Sequence, residues 1–203
     1  MNSKIPIKIA PFYWVSSLLI AYINTQGSPN FWLGMLAWMV VIFVSILVHE
    51  LGHALVAKSF GQNPSIRLVA FGGLTIPGPK KIKKWQEFLV ILCGPLFGFA
   101  LFLIAWWVKS LQLFTEPGFM PYMISIFVWV NLFWTLVNLI PIIPLDGGQL
   151  MRVVFQGISR KHGEKIALVI SMCVCGTGHV FDELYSFSRD LGLFFPLSKC
   201  DDV

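Results

Sequence analysis

Three long stretches of this 203-residue chain, at about residues 31–57, 86–108 and 119–143, are almost free of charge. About 20 consecutive apolar residues suffice for a helix to cross the hydrocarbon core of a bilayer. In that medium every backbone polar group must be satisfied inside the protein, which restricts the fold to helices or a closed barrel. A shorter apolar stretch, residues 9–23, has Tyr13, Tyr22 and Asn24 near its ends and reads as a tilted or partly inserted helix. Lys4 and Lys8 precede it, but Pro11, Phe12, Tyr13 and Trp14 open the apolar run and no small-x-small cleavage site follows, so a retained helix is expected in place of a signal peptide. A fifth stretch, Ile166 to Cys175, is too short to span alone. Only 12% of the residues are charged, against roughly 25% in a soluble domain, and 56% are hydrophobic. The expected fold class is an all-α polytopic membrane protein with about four transmembrane helices plus a short fifth hydrophobic segment.

The basic residues orient the chain. If the four stretches cross in turn, twelve lysines and arginines between Lys4 and Lys165 fall on one side and Lys109 alone on the other. Basic loops favour the cytoplasmic face, so the N-terminus, the loop 58–85 and the region after 144 are expected there. The net charge of +5 then reflects topology and contact with anionic headgroups of the lipid bilayer. No nucleic-acid-binding module is recognisable. Cys93, Cys173, Cys175 and Cys200 suggest no disulfide framework.

Inside the second apolar stretch stands His49-Glu50-Leu51-Gly52-His53. On a helix the i, i+4 spacing places both imidazoles on one face, where two nitrogens can hold a metal ion such as zinc. Glu50 projects about 100° away, which leaves its carboxylate free to take a proton from a metal-bound water. Ionisable groups at membrane depth are expensive, so their presence points to function. A catalytic zinc takes three protein ligands and an open position. Among ten acidic residues Asp146 stands apart, because it follows the hydrophobic run Asn138-Leu-Ile-Pro-Ile-Ile-Pro-Leu-Asp146-Gly-Gly148. Helix two would leave the membrane near Lys58, which puts His53 and His49 at a depth of roughly 7 to 14 Å, at 1.5 Å per residue. Helix four runs the same way and ends near Pro141, which brings Asp146 to a similar level if the chain turns back. Pro141 and Pro144 forbid a regular helix across that turn.

A His-Glu-x-x-His motif followed about 90 residues later by Asn-x-x-Pro-x-x-Pro-Leu-Asp-Gly resembles the site-2 protease family of intramembrane zinc metalloproteases. The resemblance covers about residues 9–165 and implies zinc (Zn2+) as cofactor, His49, His53 and Asp146 as its ligands, and Glu50 as general base. It further implies that Asn138 binds the substrate backbone or the transition state. Ser65 to Ile76 reads as a hairpin about a Gly72-Gly73 turn; in the family such a membrane-associated strand is thought to pair with an unwound substrate, which makes Gly73, Leu74 and Thr75 candidate substrate-binding residues. Gly94-Pro95-Leu-Phe-Gly98 resembles the family's Gly-Pro element, with Gly98 where an asparagine is usual.

The implied activity is hydrolysis of peptide bonds in or near the membrane span of single-span proteins; the short chain and lack of glycosylation-type sequons point to a prokaryotic inner membrane. The implied partner is a transmembrane protein substrate, and a homo-oligomer is compatible with the composition. The alternative is a metal-binding membrane protein or inactive pseudoprotease that holds client helices; Glu50 discriminates, because a binding site needs no general base. The organisation expected is a minimal metalloprotease core at 1–165, with a short fifth hydrophobic segment and divergent tail at 166–203; neither His162 nor His179 is expected to be a ligand.

Overall fold

The computed structural model describes residues 4–27, 30–70, 72–114, 118–159 and 163–175. The chain divides into two compact units between Ile140 and Pro141.

The first unit opens with β1 (Ile7–Ile9) and α1 (Pro11–Thr25), the latter started by a proline at its first position, where the missing N–H costs nothing. Helix α1 has 15 residues, about 22 Å at 1.5 Å per residue, which is short of a bilayer core of about 30 Å. Three described helices are long and apolar enough to cross: α2 (Phe31–Ser59), α3 (Lys84–Ser110) and α4 (Phe119–Asn138). Helix α2 is the middle element, apolar on every side and packed against both α3 and α4 as well as α1. Large side chains such as Trp32, Trp107 and Trp129 are exposed on the outer faces, as expected where lipid is the solvent. Between α2 and α4 the buried Asn131 amide donates to Ser45 Oγ at 2.9 Å, an interhelical hydrogen bond worth about 0.6 kcal/mol in a membrane.

Strands β2 (Ser65–Val69) and β3 (Gly72–Ile76) form the expected antiparallel hairpin, with two corrections. The turn does not lie at Gly72-Gly73: both glycines belong to β3, opposite Val69 and Leu68. The sheet also has a third strand, because β1 pairs in parallel with β2, Ile7 opposite Ile66. Ile66 and Leu68 point into a core with Tyr13, Ile42, Ile46 and Ala54, which seats the sheet on α1 and α2. Arg67, between them in sequence, faces outward beside Lys8. Strand β3 is an outer strand of the sheet, with β2 on one side and no strand on the other among the described residues.

The second unit contains α5 (Asp146–Ile158) and α6 (Gly163–Cys175), joined into a helical pair. The apolar stretch Ile166 to Cys175 is thus most of a 13-residue helix, and α5 is a helix that apolar runs alone did not reveal. Residues 141–145 form the expected irregular turn, with a cis Ile143–Pro144 peptide and the Ile143 N–H donating to Ser171 Oγ at 2.9 Å. The tail from residue 176, with His179 and Cys200, and also His162 and Phe71, lie outside the described residues.

Candidate metal centre

The one-turn spacing of His49 and His53 in α2 delivers two imidazoles that meet nearly at right angles, with centroids 4.9 Å apart. Their Nε2 atoms face each other at 3.2 Å. Two zinc–nitrogen bonds of about 2.0–2.1 Å at a tetrahedral angle separate their nitrogens by about 3.4 Å, so the pair is spaced for one ion. The tautomer is also set. His53 Nδ1 lies 2.8 Å from the Val90 carbonyl oxygen on α3, which can only accept, so Nδ1 carries the proton and Nε2 offers its lone pair. Among the described residues, the cluster able to hold a metal is His49, Glu50 and His53, whose ligand atoms lie within 4.8 Å of one another, all three residues being buried.

Glycines make this close fit. A Cβ at Gly94 would collide with the His53 imidazole, and one at Gly52 with the Cys93 carbonyl, so the α2–α3 crossing needs bare backbone on both helices. The Gly-Pro element therefore provides the floor under the second histidine.

Glu50 is held from the sheet. A Cβ at Gly73 would strike its side chain, so the glycine that sequence placed in a turn instead admits the carboxylate against β3. Thr75 Oγ1 is 2.6 Å from Glu50 Oε2 and 3.1 Å from the Glu50 carbonyl oxygen. A hydroxyl has one proton to give, and the shorter contact to the charged acceptor takes it. Sequence reading assigned Thr75 a role through its backbone; its side chain orienting Glu50, 25 positions away, leaves no sequence signal.

The other expected site residues belong to β3, α4 and α5. Leu74 is half-buried and pairs with Arg67. Asn138 closes α4, half-buried, its Nδ2 donating to the Trp134 carbonyl at 2.9 Å. Asp146 belongs to the second unit, where it is the first residue of α5 and complements the positive end of the helix dipole.

The sequence matches peptidase family M50 over residues 37–118 and 113–177, which includes the histidine pair and the Asp146 turn. The chain belongs to peptidase family M50. Its similarity to individual members is moderate. It is 34% identical over 143 residues to a putative zinc metalloprotease of Synechocystis, across 70% of this chain and 37% of that protein. It is 29% identical over 174 residues to stage IV sporulation protein FB of Bacillus subtilis, across 83% and 54%. A zinc metalloprotease of Methanocaldococcus jannaschii is 30% identical over 161 residues, across 78% and 44%. The matches thus span about half or less of these relatives' lengths. The solved site-2 protease from Methanocaldococcus jannaschii shares the fold, with a TM-score of 0.59 at 24% identity over 95% of this chain and 86% of that one. Three apolar helices and M50 membership make this an integral membrane protein.

Proposed function

We propose that this M50 member is an intramembrane zinc endopeptidase, with His49, His53 and Asp146 as metal ligands and Glu50 as general base. The observation that carries the proposal is the convergence of two Nε2 atoms, 3.2 Å apart, beside a buried carboxylate within a membrane-type helix. A zinc ion held there would lower the pKa of its bound water to about 7 and polarise the scissile carbonyl. Glu50, aimed by the Thr75 hydroxyl, takes the water proton and returns it to the leaving amine. The outer edge of β3, unpaired among the described residues, offers donors and acceptors at the spacing of an extended peptide, so Gly73, Leu74 and Thr75 would hold an unwound substrate strand next to the base. Asn138 would add a polar contact to the substrate backbone.

The substrate class that fits is a single-span membrane protein cleaved in or near its span, in a prokaryotic inner membrane with the N-terminus and active-site side cytoplasmic. The basic loop 58–85 and the histidines near the Lys58 end of α2 support that orientation.

The test is cleavage of single-span substrates by purified protein, with and without a chelator, beside Glu50→Gln. The variant is expected to keep its zinc, since the ligands survive, and to lose hydrolysis by more than about a hundredfold, as removal of a general base costs about 10²–10⁴. Wild-type turnover by Glu50→Gln at full zinc content would exclude this role. Zinc binding without cleavage by the unaltered protein would favour a metal-binding or client-holding function.

A further inference from the structure

Thr135 is a buried hydroxyl on α4 that the proposed chemistry leaves unused. The residue is 5% exposed, and its Oγ1 has no hydrogen-bond partner among the described residues. Threonine inside a helix ordinarily bonds back to a carbonyl one turn earlier. A buried hydroxyl left without a partner costs about 1–3 kcal/mol, so what it faces is informative.

It faces the metal site. A Cβ built on Gly98 would lie 3.1 Å from Thr135 Oγ1 and 3.8 Å from His49 Nδ1. The hydroxyl of α4 and the ring nitrogen of α2 therefore border one notch, and its floor is the bare backbone of α3 at Gly98. The chemistry of the pair is complementary. His49 turns Nε2 toward His53, so the neutral tautomer that can ligate a metal through Nε2 carries its proton on Nδ1, at the notch. A hydroxyl oxygen has lone pairs for that proton. On the other histidine the same duty falls to the Val90 carbonyl, 2.8 Å from His53 Nδ1.

We infer that Thr135 is a positioning residue of the metal centre: its Oγ1 accepts the Nδ1–H of His49 across one water seated over Gly98. This fixes the tautomer and the ring plane of the first ligand, while the threonine itself touches neither metal nor substrate. Gly98 is part of the device, because any side chain there would fill the space between the two groups. The inference rests on the zinc reading above.

Outer partners of metal-bound histidines are worth about 10–100-fold in affinity. The experiment measures the zinc dissociation constant of the purified full chain by competition with a chromophoric chelator, together with the visible spectrum of its cobalt(II) form. Thr135→Val keeps the shape and removes the acceptor; the dissociation constant should rise at least about tenfold and the cobalt bands should shift. Thr135→Ser restores the hydroxyl and should bind within about threefold of the unaltered protein, a tolerance below the tenfold expected for losing the partner. Unchanged affinity and spectrum in Thr135→Val, while the unaltered protein binds one zinc, would overturn the inference and leave the zinc reading standing. Equal losses in the valine and serine variants would also overturn it, since affinity would then not follow the hydroxyl, which serine retains and valine lacks. If Thr135→Val does not fold, Gly98→Ala decides: a methyl between hydroxyl and ring should weaken zinc binding, and unaltered affinity would refute the assignment. Failure of the unaltered protein to bind zinc would sink the parent reading and this one together.

Discussion

Replacing Gly94 by alanine should damage the metal centre more than the fold. In an ordinary helix the change is favourable by about 1 kcal/mol, because glycine is the poorer helix former. Here the new methyl would collide with Nε2 and Cε1 of His53 and lie 2.7 Å from its Cδ2. The ring cannot swing aside freely, since Nδ1 is bonded to Val90 O on the same helix that carries Gly94. Relief requires breaking that bond, at about 1 kcal/mol, or parting α2 from α3, where overpacking costs about 1–3 kcal/mol. The propensity gain offsets about 1 kcal/mol of this, so a net destabilisation of about 0–2 kcal/mol is expected. Moving the ring also misaligns one ligand, which should weaken zinc binding by about 10–100-fold, the range for lost orientation of a ligating histidine. Chelator competition measures the second quantity and thermal unfolding in detergent the first. Gly157→Ala is the control: a Cβ there meets nothing within 4 Å, and the variant should be neutral or slightly stabilised with full zinc affinity. A Gly94→Ala protein that binds zinc as tightly as the parent would refute the contact and with it the fixed seat of His53.

Asp146→Ala should lower zinc occupancy, because two histidines leave the ion under-coordinated; undiminished zinc content and activity would place the third ligand elsewhere. Thr75→Val should cut turnover about 10–100-fold, the worth of a hydrogen bond to a charged group, with zinc content intact and Thr75→Ser largely restoring activity; equal turnover by the valine form would free Glu50 from the sheet. A cysteine replacing exposed Lys81, in a background without native cysteines, should resist impermeant thiol reagents in intact cells while one replacing Leu113 reacts; the reverse pattern would invert the topology.

What could be read from the sequence was whatever repeats at helical period or rests on residue type. The spans follow from apolar length and the histidine pair from its one-turn spacing, and both stand in the structure as α2, α3, α4 and the 3.2 Å contact. The hairpin was legible from its β-branched composition, but not its third strand: Ile7 to Ile9 is too short to show alternation and pairs with a segment almost 60 positions away. The Gly72-Gly73 turn was misplaced because glycine serves two ends, turning and close approach, and only the neighbouring Glu50 side chain distinguishes them. Likewise α5 has two glycines in its first turn, which lower its helix propensity, and its apolar residues form no run long enough to stand out as a span. Val90 could not be found at all, since its contribution is a backbone carbonyl.

The Thr75–Glu50 contact separates two competences, holding a metal ion and aiming a base. On the proposed reading, holding the ion would draw on the α2 histidines, the α3 backbone beneath them, Thr135 and Asp146, whereas aiming the base would depend on a strand that belongs to the sheet. On that reading, peeling β3 from β2 would silence the proposed hydrolysis without releasing metal, and a peptide laid along the outer edge of β3 would press on the very strand that steadies the carboxylate. Loading and arming are in this sense a single mechanical event, and assays of metal content report on neither.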